Sequence, residues 1–185
     1  MTSDEFKRIL EKMHHLKIMT ISPHPEASND YKRIKCLLKR GVVPALGHDK
    51  QATEDEILAA LSLGETQQFH LTHLFNVCSF HHRSPGLVNF RVLDELPNLP
   101  KYRGIKTPTV EIIGDLAHVD PLTISLLLKS RHFKNIAFIT DFLEQLSSME
   151  TDKCKCLPVV APCQLLEQTP WLVVAALCLI HFICC

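Results

Sequence analysis

Apolar and polar positions switch between two periods along the first 141 residues. Phe6, Ile9, Leu10 and Met13 recur at helical spacing, and Thr2 followed by Glu5 reads as a capping box, which predicts a helix over 3–14. Residues 17–22 (KIMTIS) are short, apolar and β-branched, as a strand requires. Ile34, Leu37 and Leu38 mark one side of a second helix over 29–40, with Gly41 as its stop. A strand follows at 42–47 (VVPALG), then a helix opened by a second capping box, Thr53 with Glu56, and running to Gly64. Residues 68–72 read as a strand, and 73–108 as a long loop with room for a short helix. The pattern then resumes with a strand at 109–114 (TVEIIG), a helix at 120–132 capped by Asp120 with Pro121 in its first turn, and a strand at 135–140 (NIAFIT).

Strands alternating with helices indicate an α/β fold with parallel strands and crossover helices. Runs that are apolar throughout indicate strands buried on both faces. Two architectures fit the pattern, an open doubly wound sheet or part of a closed barrel. No glycine-rich phosphate loop follows any strand, which weakens a nucleotide-binding reading.

Composition narrows the partners. The 185 residues carry 20 Lys+Arg against 20 Asp+Glu, and no basic run, so nothing in the charge balance selects a nucleic acid. Residues 1–15 hold charges throughout and no apolar leader, so the expected setting is the cytoplasm, with free thiols. Six of the eight cysteines lie within 154–185, in a stretch, 142–185, that loses the strand–helix rhythm. Their spacing makes no zinc ribbon. Residues 171–185 are apolar but shorter than the roughly 20 residues of a spanning helix, which argues against a membrane span. A frame-altered tail is the preferred reading of this stretch, ahead of a buried element or a tail anchor.

The polar residues gather at strand ends. VVPALG is followed by His48, the 68–72 strand by His73, TVEIIG by Asp115 and His118, and NIAFIT by Asp141. In parallel α/β proteins the carboxyl ends of the strands carry the site. Imidazoles on neighbouring strands suit a divalent metal, and a carboxylate one strand end further suits a proton shuttle. Singly, each residue has an ordinary role open to it: a hydrogen-bonding histidine, a capping aspartate. His70 alternates away from His73 and is read as structural.

The segments around these residues resemble one family. THLFNV at 72–77 with HHRSPG at 81–86, LGH at 46–48, GDLAHVDP at 114–121 and ITD at 139–141 look like the strand ends of N-acetylglucosamine-6-phosphate deacetylases, in order, across residues 1–141. IMTISPHPE at 18–26 is similar to the strand preceding them. The resemblance implies a partial (β/α)₈ barrel of the amidohydrolase type, about strands 4 to 8, over 1–141. It implies a metal-dependent hydrolase that removes acetate from N-acetylglucosamine 6-phosphate. It further implies His48 and His73 as ligands of one divalent ion, zinc first with iron and others admitted. Asp141 would be the general base and acid, and Asn76, the backbone of Val77, Arg83 and His118 would bind the sugar phosphate. A homodimer, or association with a complementing chain, is the implied assembly. A complete barrel takes about 250 residues, and the family's Leu-Glu-Gly-Pro segment with its glutamate ligand is not in this sequence. Glu26 lies after a different strand and does not take that role. A truncated barrel is therefore expected, with open sheet edges and an exposed apolar inner face. The alternative function is a catalytically inactive fragment that binds sugar phosphate or another protein.

Overall fold

The computed structural model describes residues 2–65, 67–130 and 136–141. The expectations for 142–185, the tail included, lie outside the described residues. Among the described residues the five strands and four of the five α-helices follow the predicted order, and α2 is an unpredicted short helix after β1: α1 Ser3–Lys12, β1 Ile18–Ile21, α2 Pro23–Ala27, α3 Lys32–Lys39, β2 Val43–Leu46, α4 Glu54–Ser62, β3 His70–Leu71, β4 Thr109–Ile113, α5 Pro121–Ser130 and β5 Ile136–Ile139. Two short 3₁₀ helices, Leu87–Phe90 and Pro100–Tyr102, lie in the long β3–β4 connection.

Local chemistry explains most of these boundaries. Both capping boxes form: Thr2 with Glu5 opens α1, and Thr53 with Glu56 opens α4. Gly41 takes a left-handed φ of 69° just past α3, a conformation that costs a residue without Cβ little. Asp120 Oδ1 accepts from the Leu122 N–H at 2.8 Å at the start of α5. The prediction for 29–40 is too long at its start. Asp30 and Tyr31 both have φ near +52°, so helical backbone begins at Lys32. The first turn of α3 is satisfied from outside it. The buried Glu26 carboxylate, on α2, accepts from the N–H groups of Arg33 (3.1 Å) and Ile34 (3.4 Å) and pairs with Arg33 Nε.

All five strands run parallel in the order β1-β2-β3-β4-β5. Each strand pairs with the next in sequence, and the order never reverses, so these strands contain no switch point of the doubly wound kind. β1 and β5 are the edges of the described sheet.

Strand alternation divides the sheet into two faces. Leu46, Leu71, Val110 and Ile112 share one core with the helix residues Ile34, Leu37, Ile57, Leu61, Ile124 and Leu127. The alternate positions, Ala45, His70, Thr72, Glu111 and Ile113, take the face away from that core and are also buried. The expected exposed apolar inner face is not what forms. At its centre that face carries small and polar side chains, where His70, Thr72, Thr109 and Glu111 satisfy one another, with Ile113 buried beside them.

Candidate active site

The carboxyl ends of β1, β2 and β3 are tied together before any site chemistry is considered. Asp49, buried just past β2, accepts from the His24 N–H at 2.8 Å through Oδ2, and from the N–H groups of Gln51 and Ala52 at 2.9 Å through Oδ1. Ser22 Oγ donates to the Gly47 carbonyl at 3.2 Å. Asp49 also forms an isolated parallel bridge with Cys78. Burial pushes the Cys78 thiol up to about 11, despite hydrogen bonds from the backbone at His48 and Asp49, so the thiol stays neutral near pH 7.

On this frame stand the two histidines. His48 follows β2 and His73 follows β3, with ring centroids 5.4 Å apart and ring planes at 73°. Each has positive φ, 53° at His48 and 27° at His73. Phe75 and Val77 repeat that left-handed conformation in the loop after β3, with φ of 78° and 50°. Residues other than glycine held this way are uncommon, and such strain concentrates at functional sites.

Beneath His73 lies a group that the sequence pattern did not single out. Glu111 Oε1 accepts from the His73 N–H at 3.2 Å and from Thr72 Oγ1, while Oε2 meets His70 Nε2 at 3.0 Å. His70 Nδ1 pairs in turn with Thr109 Oγ1 at 2.7 Å, in keeping with its structural reading. Burial pushes the Glu111 carboxyl up, but the hydrogen bonds from His70, Thr72 and the His73 N–H outweigh it and leave it lowered. A charged residue inside an otherwise apolar strand, opposite a His-x-Thr strand, was the available signal.

The remaining predicted residues lie in the segments that follow β3, β4 and β5. Asp141 lies two residues past β5 and is half-buried. His118, exposed in the β4–α5 loop, is held by Asp115: Nδ1 to Oδ2 is 2.6 Å, and Asp115 Oδ1 accepts from the His118 N–H at 2.9 Å. Burial raises the Asp115 carboxyl, and these contacts with the Ala117 N–H more than reverse it, so its pKa is lowered. Asn76 and Val77 are half-buried in the β3 loop, and Arg83 is exposed beyond it. The Arg83 and Ser84 N–H groups donate to His81 Nδ1 at 3.2 and 3.0 Å, which fixes the turn that carries Arg83.

The centroid spacing of the histidine pair is compatible with one shared tetrahedral ion. With a Zn–N distance of about 2.05 Å and a ring centroid about 1.1 Å beyond the nitrogen, two imidazoles on one ion have centroids about 5.2 Å apart. The observed 5.4 Å agrees with that value. Among the described residues, no three His, Cys, Asp or Glu side chains come together as a metal cluster. No described helix is long and apolar enough to cross a membrane.

No protein-family model matches the chain. It is similar to curated N-acetylglucosamine-6-phosphate deacetylases. The Homo sapiens enzyme is 27% identical over 151 residues, covering 78% of this chain and 33% of that protein. The Rattus norvegicus enzyme is 30% identical over 128 residues, covering 67% of this chain and 27% of that one. The chain spans about a third of the length of the curated relatives it matches. Solved structures agree. The Mycobacterium smegmatis N-acetyl-D-glucosamine-6-phosphate deacetylase superposes with TM-score 0.60 at 27% identity, over 77% of this chain and 37% of its own. A mutant of that enzyme in complex with N-acetyl-D-glucosamine-6-phosphate gives TM-score 0.58 at 26% identity, over 75% and 32%.

Proposed function

We propose that β1 to β5 are an arc of a (β/α)₈ barrel, about its fourth to eighth strands. We further propose that the rim they form belongs to a metal-dependent hydrolase acting on N-acetylglucosamine 6-phosphate. The reading rests on the histidines that follow two adjacent parallel strands, their ring centroids 5.4 Å apart, with a carboxylate following a later strand of the same sheet. The likeness to deacetylases over residues that include this rim supports the substrate.

In this reading His48 and His73 hold a divalent ion, zinc or a metal of similar ligand preference. Such an ion supplies Lewis acidity at the acetamido carbonyl and hydroxide near neutral pH. Asp141 takes the proton from the attacking water and returns it to the amide nitrogen as the carbon–nitrogen bond breaks, giving acetate and glucosamine 6-phosphate. Asn76, the Val77 N–H, Arg83 and His118 grip the sugar phosphate. Arg83 can offer two parallel donors to phosphate oxygens. Asp115, bonded to His118 Nδ1, leaves Nε2 of that ring directed to other partners. A third protein ligand would come from a complementing chain, and a homodimer is the other assembly the resemblance implies. The setting of this chemistry would be the cytoplasm.

A second reading has its own observation. A two-histidine half-site without a third ligand among the described residues suits a sugar-phosphate-binding or interaction protein that performs no hydrolysis. Acetate release from N-acetylglucosamine 6-phosphate by the zinc-loaded full chain separates the two. Release that disappears in Asp141→Asn and falls at least 100-fold in His48→Ala supports hydrolysis. Substrate binding without release supports the second reading. Neither binding nor release overturns both.

A further inference from the structure

We infer that Glu111 is a positioning residue for the metal-ligand candidate His73, acting from the inner face of the sheet through the backbone rather than through the imidazole. The inference rests on the metal-site reading above.

Three observations converge on Glu111. It is a carboxylate only 5% exposed, in the middle of the strand next to the one that His73 follows. Its side chain takes the His73 N–H and the hydroxyl of Thr72, the residue before His73, on one oxygen. Its own carbonyl accepts from the Leu74 N–H at 2.8 Å, the residue after His73. One residue of β4 thereby holds three consecutive residues of the β3 end. His73 needs such a hold, because φ of 27° lies in a sparsely populated region for a residue with a Cβ. Without the carboxylate, the His73 N–H would lose its buried acceptor, and the backbone could relax toward ordinary dihedrals. The imidazole would then swing away from His48.

The remaining oxygen explains why a carboxylate rather than a smaller acceptor stands here. His70 Nε2 faces Oε2, and its Nδ1 faces Thr109 Oγ1. In the present arrangement the imidazole can donate to Glu111 and accept from Thr109. A glutamine at 111 could keep its oxygen toward Thr72 and His73 while its NH₂ faced His70, the ring changing tautomer and donating to Thr109 instead. Leucine fills similar space and offers no acceptor. The two substitutions therefore separate hydrogen bonding to His73 from simple filling of the inner face.

The test is zinc titration of the full 185-residue chain against a chromophoric chelator, with cobalt(II) absorption as a report on ligand geometry. Wild type, His73→Ala, Glu111→Leu and Glu111→Gln are compared. The expected result is a loss of zinc affinity in Glu111→Leu of about 10- to 100-fold, the range seen when groups supporting metal ligands are removed. A weakened cobalt(II) ligand-field band should accompany it. Glu111→Gln should stay within about threefold of wild type, since it restores the acceptor. If Glu111→Leu does not fold, Thr72→Val carries the test: it removes one member of the cluster isosterically, and a several-fold loss of affinity with a perturbed cobalt(II) band is expected. Zinc affinity that falls in His73→Ala but is unchanged in Glu111→Leu, or in Thr72→Val where that stands in, overturns the positioning role and leaves the metal site standing. Equal losses in Glu111→Gln and Glu111→Leu also overturn it. A wild-type chain that takes up no zinc overturns the metal site, and the positioning role with it.

Discussion

Gly47→Ala adds one methyl between the two strand ends that carry the histidines. Gly47 precedes His48, and the atoms a Cβ would meet all belong to Thr72, which precedes His73. The new carbon would overlap Thr72 Cγ2 and lie 3.2 Å from the Thr72 carbonyl oxygen. Gly47 φ is outside the left-handed region, so the effect is steric and not one of backbone strain. The overlap has two exits. Thr72 can rotate about χ1, which takes its hydroxyl off the buried Glu111 carboxylate, a hydrogen bond to a charged group of about 1.5–3 kcal/mol. Alternatively the ends of β2 and β3 can separate, at the roughly 1–3 kcal/mol typical of overpacking. The unfolded chain loses freedom on gaining the methyl, which offsets about 0.4–1 kcal/mol. The expected net loss is about 1–2 kcal/mol, or a fall in Tm of about 2–8 °C for a chain of this size. Urea denaturation followed by circular dichroism measures it. Thr72→Ser removes Cγ2 and keeps the hydroxyl, so Gly47→Ala should cost less than about 0.5 kcal/mol in that background, with a coupling of about 1 kcal/mol. Equal costs in the two backgrounds would refute the claim that the strand ends are packed at this point. Zinc affinity should follow stability, falling in the single variant and recovering in the double.

Two further expectations test other parts of the frame. Glu26→Ala removes the buried carboxylate that pairs with Arg33 and satisfies the Arg33 and Ile34 N–H groups, so urea denaturation should show a loss of about 3–5 kcal/mol, with Glu26→Gln milder. Glu54 joins α4 to the long loop through Lys101 Nζ (2.5 Å) and the Tyr102 hydroxyl (2.8 Å), and the hydrogen bond from Lys101 is the main reason its pKa lies below the usual 4.5. A depressed folded pKa stabilises above the unfolded value and stops doing so as pH falls through the folded one. Because the pair is partly exposed, Glu54→Gln should cost only about 0.5–1 kcal/mol at pH 7, shrinking in high salt and vanishing well below pH 4.5 in a pH series of thermal melts.

What was legible in the sequence was local. Thr2 with Glu5 and Thr53 with Glu56 lie three residues apart, so the capping boxes that open α1 and α4 need no knowledge of the rest of the chain. The same holds for the Gly41 stop and the Asp120 cap. The residues at strand ends, His48, His73, His118 and Asp141, were readable because a strand–helix alternation fixes which end of each strand meets the next loop. Tertiary structure decided what depends on partners distant in sequence. Helix α3 starts at Lys32 because Glu26 caps it from another helix, which no periodicity in 29–40 encodes. The sequential strand order is a matter of which strands pair across 25 or more residues, and the pattern of apolar runs is the same for a sheet whose order reverses. That His48 and His73 face each other at 5.4 Å, and that Glu111 reaches back to the His73 backbone, follow from the β2–β3 and β3–β4 registers. A shift of one residue in either register would turn the inner-face positions into the helix-packed core, so the site is set by strand pairing as much as by the residues that compose it.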